Sequence, residues 1–356
     1  MARRPTAQER RIAALAKTLE PKVRDAFILA LQTAATSVDK AALIRALDAR
    51  DLVLAAQILG INAQTLFPVT EVVRSAYIQG GASVAASIPV ALRGQFGFGG
   101  NPRAVAAVQA VTADLTQYLI QSTADGVRSA VVRAVNEGIP TRKLATELVG
   151  LMDKRTGLRT GGIMGLDDQR AAQAARVREM LGDKDQIRKY FIKDRKTGVM
   201  KPRYSTTDRR YDKRVRDAIN EGRALSKADI DIISNRHNSR LLANRATQIA
   251  HDNTLTSLRA GQNDGFRELI DSGAVLDEQL ERTWVSGRDK ITRPDHVEMD
   301  GTVVRGAETA YSLPDGSRAL YPGDRSLGAP IEQTTFCRCV EVVRIIPRSK
   351  LEGTAL

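Results

Sequence analysis

Cysteine is nearly absent from this sequence of 356 residues: the chain has two, Cys337 and Cys339, separated by one residue. Two cysteines this close cannot form a disulfide framework, so we expect a protein made in a reducing cytoplasm. Aromatic residues are also scarce, at 4% of the chain. The interior must therefore be built mainly from Ala, Val, Leu and Ile, which favours packed helices over a β-sandwich.

Long apolar runs are missing as well. The longest apolar region, residues 84–92, is interrupted by Ser87 and Pro89, and it is much shorter than the roughly 20 residues that a bilayer requires. The basic N-terminal sequence MARRPTAQERR is not followed by an apolar segment of the kind found in secretory signals. The sequence therefore predicts neither membrane insertion nor secretion.

Acidic residues are too few to balance the basic ones, and the net charge is +13. Residues 151–250 hold most of this excess, with 24 Lys and Arg against 13 Asp and Glu, whereas residues 251–356 hold 13 against 17. The middle segment is the part expected to meet an anionic partner.

Helical periodicity dominates the chain up to residue 260. We predict a helix from Glu20 to Ala35, one capped by Asp39 that ends at Gly60, and one from Thr70 to about Ser87. The glycine-rich segment 94–100 predicts a hinge, because it lacks the preceding strand and the Lys-Ser/Thr of a phosphate-binding loop. A further helix is predicted at 101–137, with Asn101 as its N-cap and Pro102 at its first position. Three more are predicted: one at 141–148 that is capped by Thr141, one that starts after Ser226, and one at 239–260.

Beyond Gly261 the pattern changes to short β-like pieces, RTWVSG, GTVVRG and RCVEVVRII, separated by loops rich in Gly, Pro and Asp. The predicted fold class is a mainly α N-terminal and central region with long helices, plus a small C-terminal α+β domain. The predicted segments are a helical N-terminal region at 1–93, an extended helical body at 94–260 that includes the basic segment 151–250, the α+β domain at 261–347 and a loose tail at 348–356.

Five basic residues lie close together on one predicted helix of the basic segment. Acidic residues at 208, 212 and 217 partly offset them, so a solvated, salt-bridged face is one interpretation and contact with DNA or an acidic protein surface is the other. The five are Arg209, Arg210, Lys213, Arg214 and Arg216.

The residues best suited to chemistry lie in the C-terminal domain. If Cys337 and Cys339 lie on a strand, their side chains share a face, but their Cα atoms would be roughly 6.5–7 Å apart, which disfavours a disulfide between them. A structural zinc ion tolerates that separation, with His296 as third ligand and an Asp or water as fourth. The alternative is that the two thiols simply pack under a loop while His296 bonds a carboxylate.

A catalytic interpretation is weaker. A Cys–His pair can supply a nucleophile and a base, and Asp295, His296 and Asp300 can hold a hydrolytic metal, as in a metal-dependent nuclease. The sequence has no Gly-x-Ser-x-Gly and no His-Glu-x-x-His. His237 lies in a polar stretch and His251 in a helix, where histidines are more often packed than ligating. We therefore expect the chain not to be an enzyme.

The C-terminal segment WVSGRDKITRPDHVEMDGTVV, followed by FCRCVEVV, resembles the phage Mu F-like minor head protein family, also called phage head morphogenesis proteins. The family pattern is a Trp, an Asp with Arg and His, an Asp-Gly and a closing Cys-Arg-Cys. The residues that match it in order are Trp284, Asp289, Arg293, His296, Asp300, Gly301, Cys337, Arg338 and Cys339. The resemblance covers about residues 95–345 and is specific only in the C-terminal domain. Upstream, RLLANRATQIAHDN resembles the helix that precedes this domain, although His251, Asp252 and Asn253 replace the family's Arg-Thr-Glu.

The resemblance implies a structural component of a tailed-phage head. Such a protein is made in the host bacterial cytoplasm and becomes part of the virion, with the portal protein and the major capsid protein as partners. Packaged DNA would be a further partner for the basic segment.

Overall fold

The computed structural model describes residues 3–94, 96–98 and 102–351. Within them the chain forms long helices and four small antiparallel sheets, which confirms the predicted fold class. The α-helices are α1 (Ala7–Ser37), α2 (Lys40–Asp48), α3 (Leu52–Leu59), α4 (Ala63–Ala82), α5 (Val90–Arg93), α6 (Pro102–Asn136), α7 (Thr141–Val149), α8 (Asp168–Gly182), α9 (Asp212–Asn220), α10 (Lys227–Asp271), α11 (Pro294–Glu298), α12 (Ile331–Thr334) and α13 (Arg348–Leu351).

The strands pair into three hairpin-like sheets and one sheet of three strands. They are β1 (Leu151–Met152), β2 (Arg159–Thr160), β3 (Phe191–Lys193), β4 (Met200–Pro202), β5 (Leu280–Val285), β6 (Val303–Arg305), β7 (Tyr311–Ser312), β8 (Arg318–Ala319) and β9 (Val340–Ile345). The three-stranded sheet has the order β6-β5-β9, with every neighbouring pair antiparallel. The three segments that were predicted to be β-like form this sheet.

The chain divides into two compact units, each assembled from separate stretches of sequence. Unit 1 comprises residues 1–25, 69–114 and 247–356, and unit 2 comprises residues 26–68 and 115–246. The predicted segment boundary at 260/261 falls inside α10, which continues to Asp271. Sequence order is therefore a poor guide to which residues pack together.

Unit 2 has an apolar core built by α8, α9 and the start of α10 together with the β3 region. Its buried members include Val177, Leu181, Tyr190, Val215 and Ile233. Unit 1 has one cluster in which the end of α10 packs on the three-stranded sheet, through residues such as Phe266, Leu280 and Val343. A separate buried cluster of unit 1 contains Trp284 and both cysteines.

Several predicted helix ends are confirmed. Asp39 accepts hydrogen bonds from the backbone N–H groups of residues 41 and 42 at the start of α2, and Ser226 caps α10 through the N–H of Asp229. Gly60 ends α3 with a φ of 66°, a left-handed conformation that favours glycine. Helix α6 begins at Pro102 as predicted, while the proposed N-cap Asn101 and hinge residues Gly99 and Gly100 lie outside the described residues.

Other helix predictions were wrong in detail. The run after Asp39 is two helices, because Arg50 has a φ of 56° and Asp51 caps α3 through the N–H of Leu54. Thr141 is the first residue of α7 rather than its cap, which is Pro140. The helix predicted at 239–260 is an interior part of the 45-residue helix α10.

The predicted loose tail also needs correction. Residues 348–351 form the short helix α13, and residues 352–356 lie outside the described part of the chain. Among the described residues, no single helix is long and apolar enough to cross a membrane. Two bent pairs of neighbouring helices, one within 7–48 and one within 52–86, reach the required length and apolar composition only when the two helices of the pair are taken together.

Candidate metal centre

The side chains of His296, Cys337 and Cys339 meet inside unit 1. His296 lies on α11, which begins with Pro294 at its first position. The cysteines lie between α12 and β9, so the prediction that they sit on a strand was wrong: β9 begins at Val340. Phe336, with a φ of 52°, turns the chain just before them. The extended segment still directs both thiols toward the imidazole, as predicted.

The three side chains lie close enough together to hold a metal ion. Nδ1 of His296 lies 3.7 Å from Sγ of Cys337 and 3.3 Å from Sγ of Cys339. One ligand atom from each residue lies within 4.8 Å of the other two. All three side chains are buried, with exposed fractions of 1%, 3% and 1%. These residues can hold a metal ion, because two sulfur atoms and one imidazole nitrogen form a donor set that zinc prefers.

A hydrogen-bond chain fixes the orientation of the imidazole. The side-chain N–H₂ of Gln333 donates to Oδ2 of Asp295 and to Oδ2 of Asp315, both at 2.8 Å. Its Oε1 must then accept from Nε2 of His296, 3.0 Å away. A proton on Nε2 leaves the lone pair of Nδ1 directed at the two sulfur atoms. This is the arrangement by which outer residues orient a metal-binding histidine.

The pKa values of the two thiols are shifted in opposite directions. A hydrogen bond from Cys339 holds the pKa of Cys337 well below its usual range, and the nearby guanidinium of Arg259 lowers it further. The same hydrogen bond to Cys337, together with burial, raises the pKa of Cys339. The backbone N–H of Gly287 also bonds to Cys339. A bound cation would stabilise the thiolate forms of both cysteines.

Aromatic rings enclose the centre. The Trp284 ring lies edge-on to His296, with centroids 5.6 Å apart, and edge-on to Tyr311 at 5.3 Å. Met299 completes this buried cluster. Among the described residues the metal-binding group has three members, and Asp295 is engaged by Gln333. A fourth ligand would therefore be water, as one branch of the sequence prediction had it.

The other motif residues hold the loops around the centre. Asp289 accepts a hydrogen bond from Arg338 at 2.7 Å, and Asp300 accepts from the N–H of Ser286 at 2.8 Å and pairs with Arg288. The guanidinium of Arg293 donates to the carbonyl of Thr335. Gly301 has a φ of 88° and donates to the carbonyl of Trp284. The residues that match the family pattern thus contribute to one small structure.

Two buried arginines of this region were missed by sequence reasoning. Arg282 donates to the carbonyls of Gly306, Thr309 and Leu320 and pairs with Glu341 at 3.0 Å, while the Tyr311 hydroxyl donates to the same carboxylate. Arg259 donates to the carbonyls of Pro322 and Cys337. Strand alternation could have revealed Arg282, since it shares a face of β5 with the buried Leu280 and Trp284.

The five predicted basic contact residues lie in unit 2 on a 3-10 turn, Arg209–Tyr211, and on α9. Four of them pair with carboxylates: Arg209 with Asp212, Arg210 with Asp208, Lys213 with Asp217, and Arg214 with Asp229. Arg216 lies over the ring of Phe191, 5.1 Å from its centroid. The arrangement matches the salt-bridged interpretation of this segment, and contact with DNA stays a prediction.

The remaining two histidines have packing partners. His251 lies on α10 with Nδ1 3.0 Å from Oε1 of Glu20, and its ring lies beside Phe336. His237 is fully buried in unit 2 beside Tyr204. Comparisons of the chain with protein-family models, with curated proteins and with solved structures found no match.

Proposed function

We propose that this chain is a structural minor head protein of a tailed phage and not an enzyme. It would be made in the host cytoplasm and join the head with the portal protein and the major capsid protein. The observation that carries the proposal is that Trp284, His296, Cys337 and Cys339, the core of the family-like pattern, form one closed, buried cluster. Side chains placed in this way stabilise a module and are not accessible to a substrate.

We further propose that the ion held by His296, Cys337 and Cys339 is a structural zinc. Zinc would supply a cross-link between α11 and the segment before β9, which short elements of this kind need for stability. The two sulfur atoms and the Nδ1 lone pair, which Gln333 orients through Nε2, favour this ion. The role of the metal would be to hold the module folded.

The alternative function, a metal-dependent nuclease, uses His296 with nearby aspartates. His296 is 1% exposed and faces sulfur, whereas a hydrolytic ion needs an open position that a phosphodiester can reach. Asp295 bonds to Gln333, and Asp300 bonds to Ser286 and Arg288. The geometry therefore favours the structural role over hydrolysis.

The basic segment 151–250 supports a further part of the proposal, contact with packaged DNA. Its excess of 11 positive charges would attract phosphate groups, and such binding would weaken steeply with salt because counterions are released. The carboxylate partners of Arg209, Arg210, Lys213 and Arg214 reduce the charge that this face can offer. Binding to DNA should accordingly be weak and nonspecific.

The proposal is tested by measuring whether the chain is present in assembled heads and in how many copies. The chain would be co-expressed with the portal protein and the major capsid protein of a tailed phage, and heads would be purified and quantified by mass spectrometry. Presence at a low, fixed copy number supports the proposal. Absence from assembled heads contradicts it, and cleavage of DNA by the purified, zinc-loaded chain would favour the nuclease instead.

A further inference from the structure

A cavity in unit 2 is lined by an excess of positively charged side chains. Its volume is about 400 Å³, within the range of small-ligand pockets. Helices α2, α6, α7, α8 and α10 contribute to its wall, and the small side chains of Ala171, Ala174 and Ala175 leave the space open on the α8 side. The proposed head function does not use this cavity.

Six cationic and two acidic side chains line the cavity. Both acids are already occupied: Glu147 pairs with Arg133 at 2.8 Å and with Arg178 at 2.9 Å, and Asp231 pairs with Arg178. The cations that are left over have no carboxylate partner among the described residues. They are Lys40, Arg142, Lys143 and Lys227.

Lys40 lies close to other cationic side chains. Burial is the main reason why the pKa of Lys40 is lowered, and the neighbouring guanidinium groups of Arg159 and Arg142 lower it further. The ammonium of Lys40 is held in place by the hydroxyl of Thr146, 2.6 Å away. A ligand with several negative charges would relieve this repulsion, which a single carboxylate would do less well.

One wall of the cavity is closely packed. Asn235 donates to the carbonyl of Thr160, and a Cβ atom on Gly161 would lie 2.3 Å from the Asn235 side chain. The loop and helix α10 therefore fit together only because residue 161 is glycine.

We infer that this cavity binds a ligand that carries several phosphate groups, such as a nucleoside triphosphate. Lys40, Arg142, Lys143 and Lys227 hold the phosphate groups. The ligand can be a free nucleoside triphosphate or a stretch of nucleic acid backbone, since both present several phosphate groups.

Isothermal titration calorimetry on the full chain tests this inference, with AMP, ATP, inorganic phosphate and a short single-stranded RNA as probes. We expect saturable binding of ATP to one site per chain, tighter than binding of AMP or of inorganic phosphate. Charge reversal at the exposed rim, in the variant Arg142→Glu/Lys143→Glu, should weaken binding by at least about tenfold, because two charge-assisted contacts are lost. Filling the cavity in Ala175→Phe should weaken it similarly without changing any charge.

The matched control is Lys154→Glu/Arg155→Glu, which reverses two exposed charges of the same unit that do not line the cavity. Binding should be unchanged in this variant. Binding of the RNA but of no mononucleotide, with the same dependence on the cavity variants, supports the inference and assigns the ligand to a nucleic acid strand. The inference is wrong if no probe binds, if inorganic phosphate binds as tightly as the nucleotides, or if the control loses as much affinity as the rim variant.

Discussion

The buried Arg282–Glu341 pair should be the most sensitive point of the C-terminal region, and the substitution Arg282→Met tests this. Methionine keeps much of the length of the arginine side chain but removes its charge and all its donors. The change leaves Glu341, 3% exposed, without its ion-pair partner and leaves the carbonyls of Gly306, Thr309 and Leu320 without their donor. Removing one partner of a buried ion pair costs about 3–5 kcal/mol in the free energy of unfolding.

The assay is urea unfolding followed by tryptophan fluorescence. Trp284 is the only tryptophan of the chain and is 1% exposed in the same region, so its emission reports the unfolding of this part of the full-length protein. The matched control is Arg305→Met, the same substitution on the neighbouring strand β6, where the side chain is 53% exposed and 3.8 Å from Glu281. An exposed pair contributes about 0–1 kcal/mol, so the control should change stability little.

The cost of Arg282→Met should also depend on pH in a defined direction. Burial raises the pKa of Glu341, while Arg282 opposes that rise. Without Arg282 the folded variant retains a proton on Glu341 that the unfolded chain releases above about pH 4.3. Glu341 then binds its proton more tightly in the folded variant than in the unfolded chain. The free energy of unfolding of the variant is therefore higher at low pH and falls as the pH rises toward neutral. The variant should therefore be closer to wild type near pH 5 than near pH 7.

A second substitution separates charge from packing. Glu341→Gln in the Arg282→Met background removes the unpaired charge but keeps an acceptor for the Tyr311 hydroxyl, and it should restore about 1–3 kcal/mol. If Arg282→Met costs no more than Arg305→Met, or if Glu341→Gln restores nothing, the buried pair does not stabilise the region as argued.

Two further predictions concern unit 2 and can be followed by circular dichroism. Burial lowers the pKa of His237 to about 4, so the folded state binds this proton less readily than the unfolded chain. About 3 kcal/mol in the free energy of unfolding should therefore be lost as the pH falls from about 6.5 toward 4. His237→Phe should flatten that part of the profile of stability against pH, and an unaltered slope would refute the assignment. Gly126→Ala on α6 places a Cβ atom 2.3 Å from the carbonyl oxygen of Leu166 and should cost about 1–3 kcal/mol despite the better helix propensity of alanine. The control Gly182→Ala, whose nearest contact would be 3.7 Å away, should be neutral or stabilising, and equal effects of the two changes would contradict the close-approach argument.

Local chemistry explains which parts of the fold could be predicted. Asp39, Gly60 and Ser226 were predicted as helix ends because capping depends on residues within a few positions of each other. The predicted start of the helix at Ser239 was wrong. Its hydroxyl donates to the carbonyl of Asn235 one turn earlier, which is how serine sits inside a helix, and α10 runs on through it.

The candidate metal centre was predictable for a different reason. Cysteine and histidine are rare in this chain, so three such residues in one region of the sequence already indicate a ligand set. Gln333 and Asp315, which orient His296, carry no such signal, because amides and carboxylates are common on loops. Their role depends on a loop packing that the sequence pattern does not encode.

Metal content is the most direct test of the claim that His296, Cys337 and Cys339 hold this region together. The chain would be purified without chelator and its metal measured by mass spectrometry, beside Cys339→Ser and the control His251→Gln, which alters a histidine outside the centre. We predict one zinc ion per chain in the wild type and in the control, none in Cys339→Ser, and a lower urea midpoint of Trp284 fluorescence after chelation. A wild-type chain that binds no zinc and unfolds at the same urea concentration with and without chelator would contradict the claim.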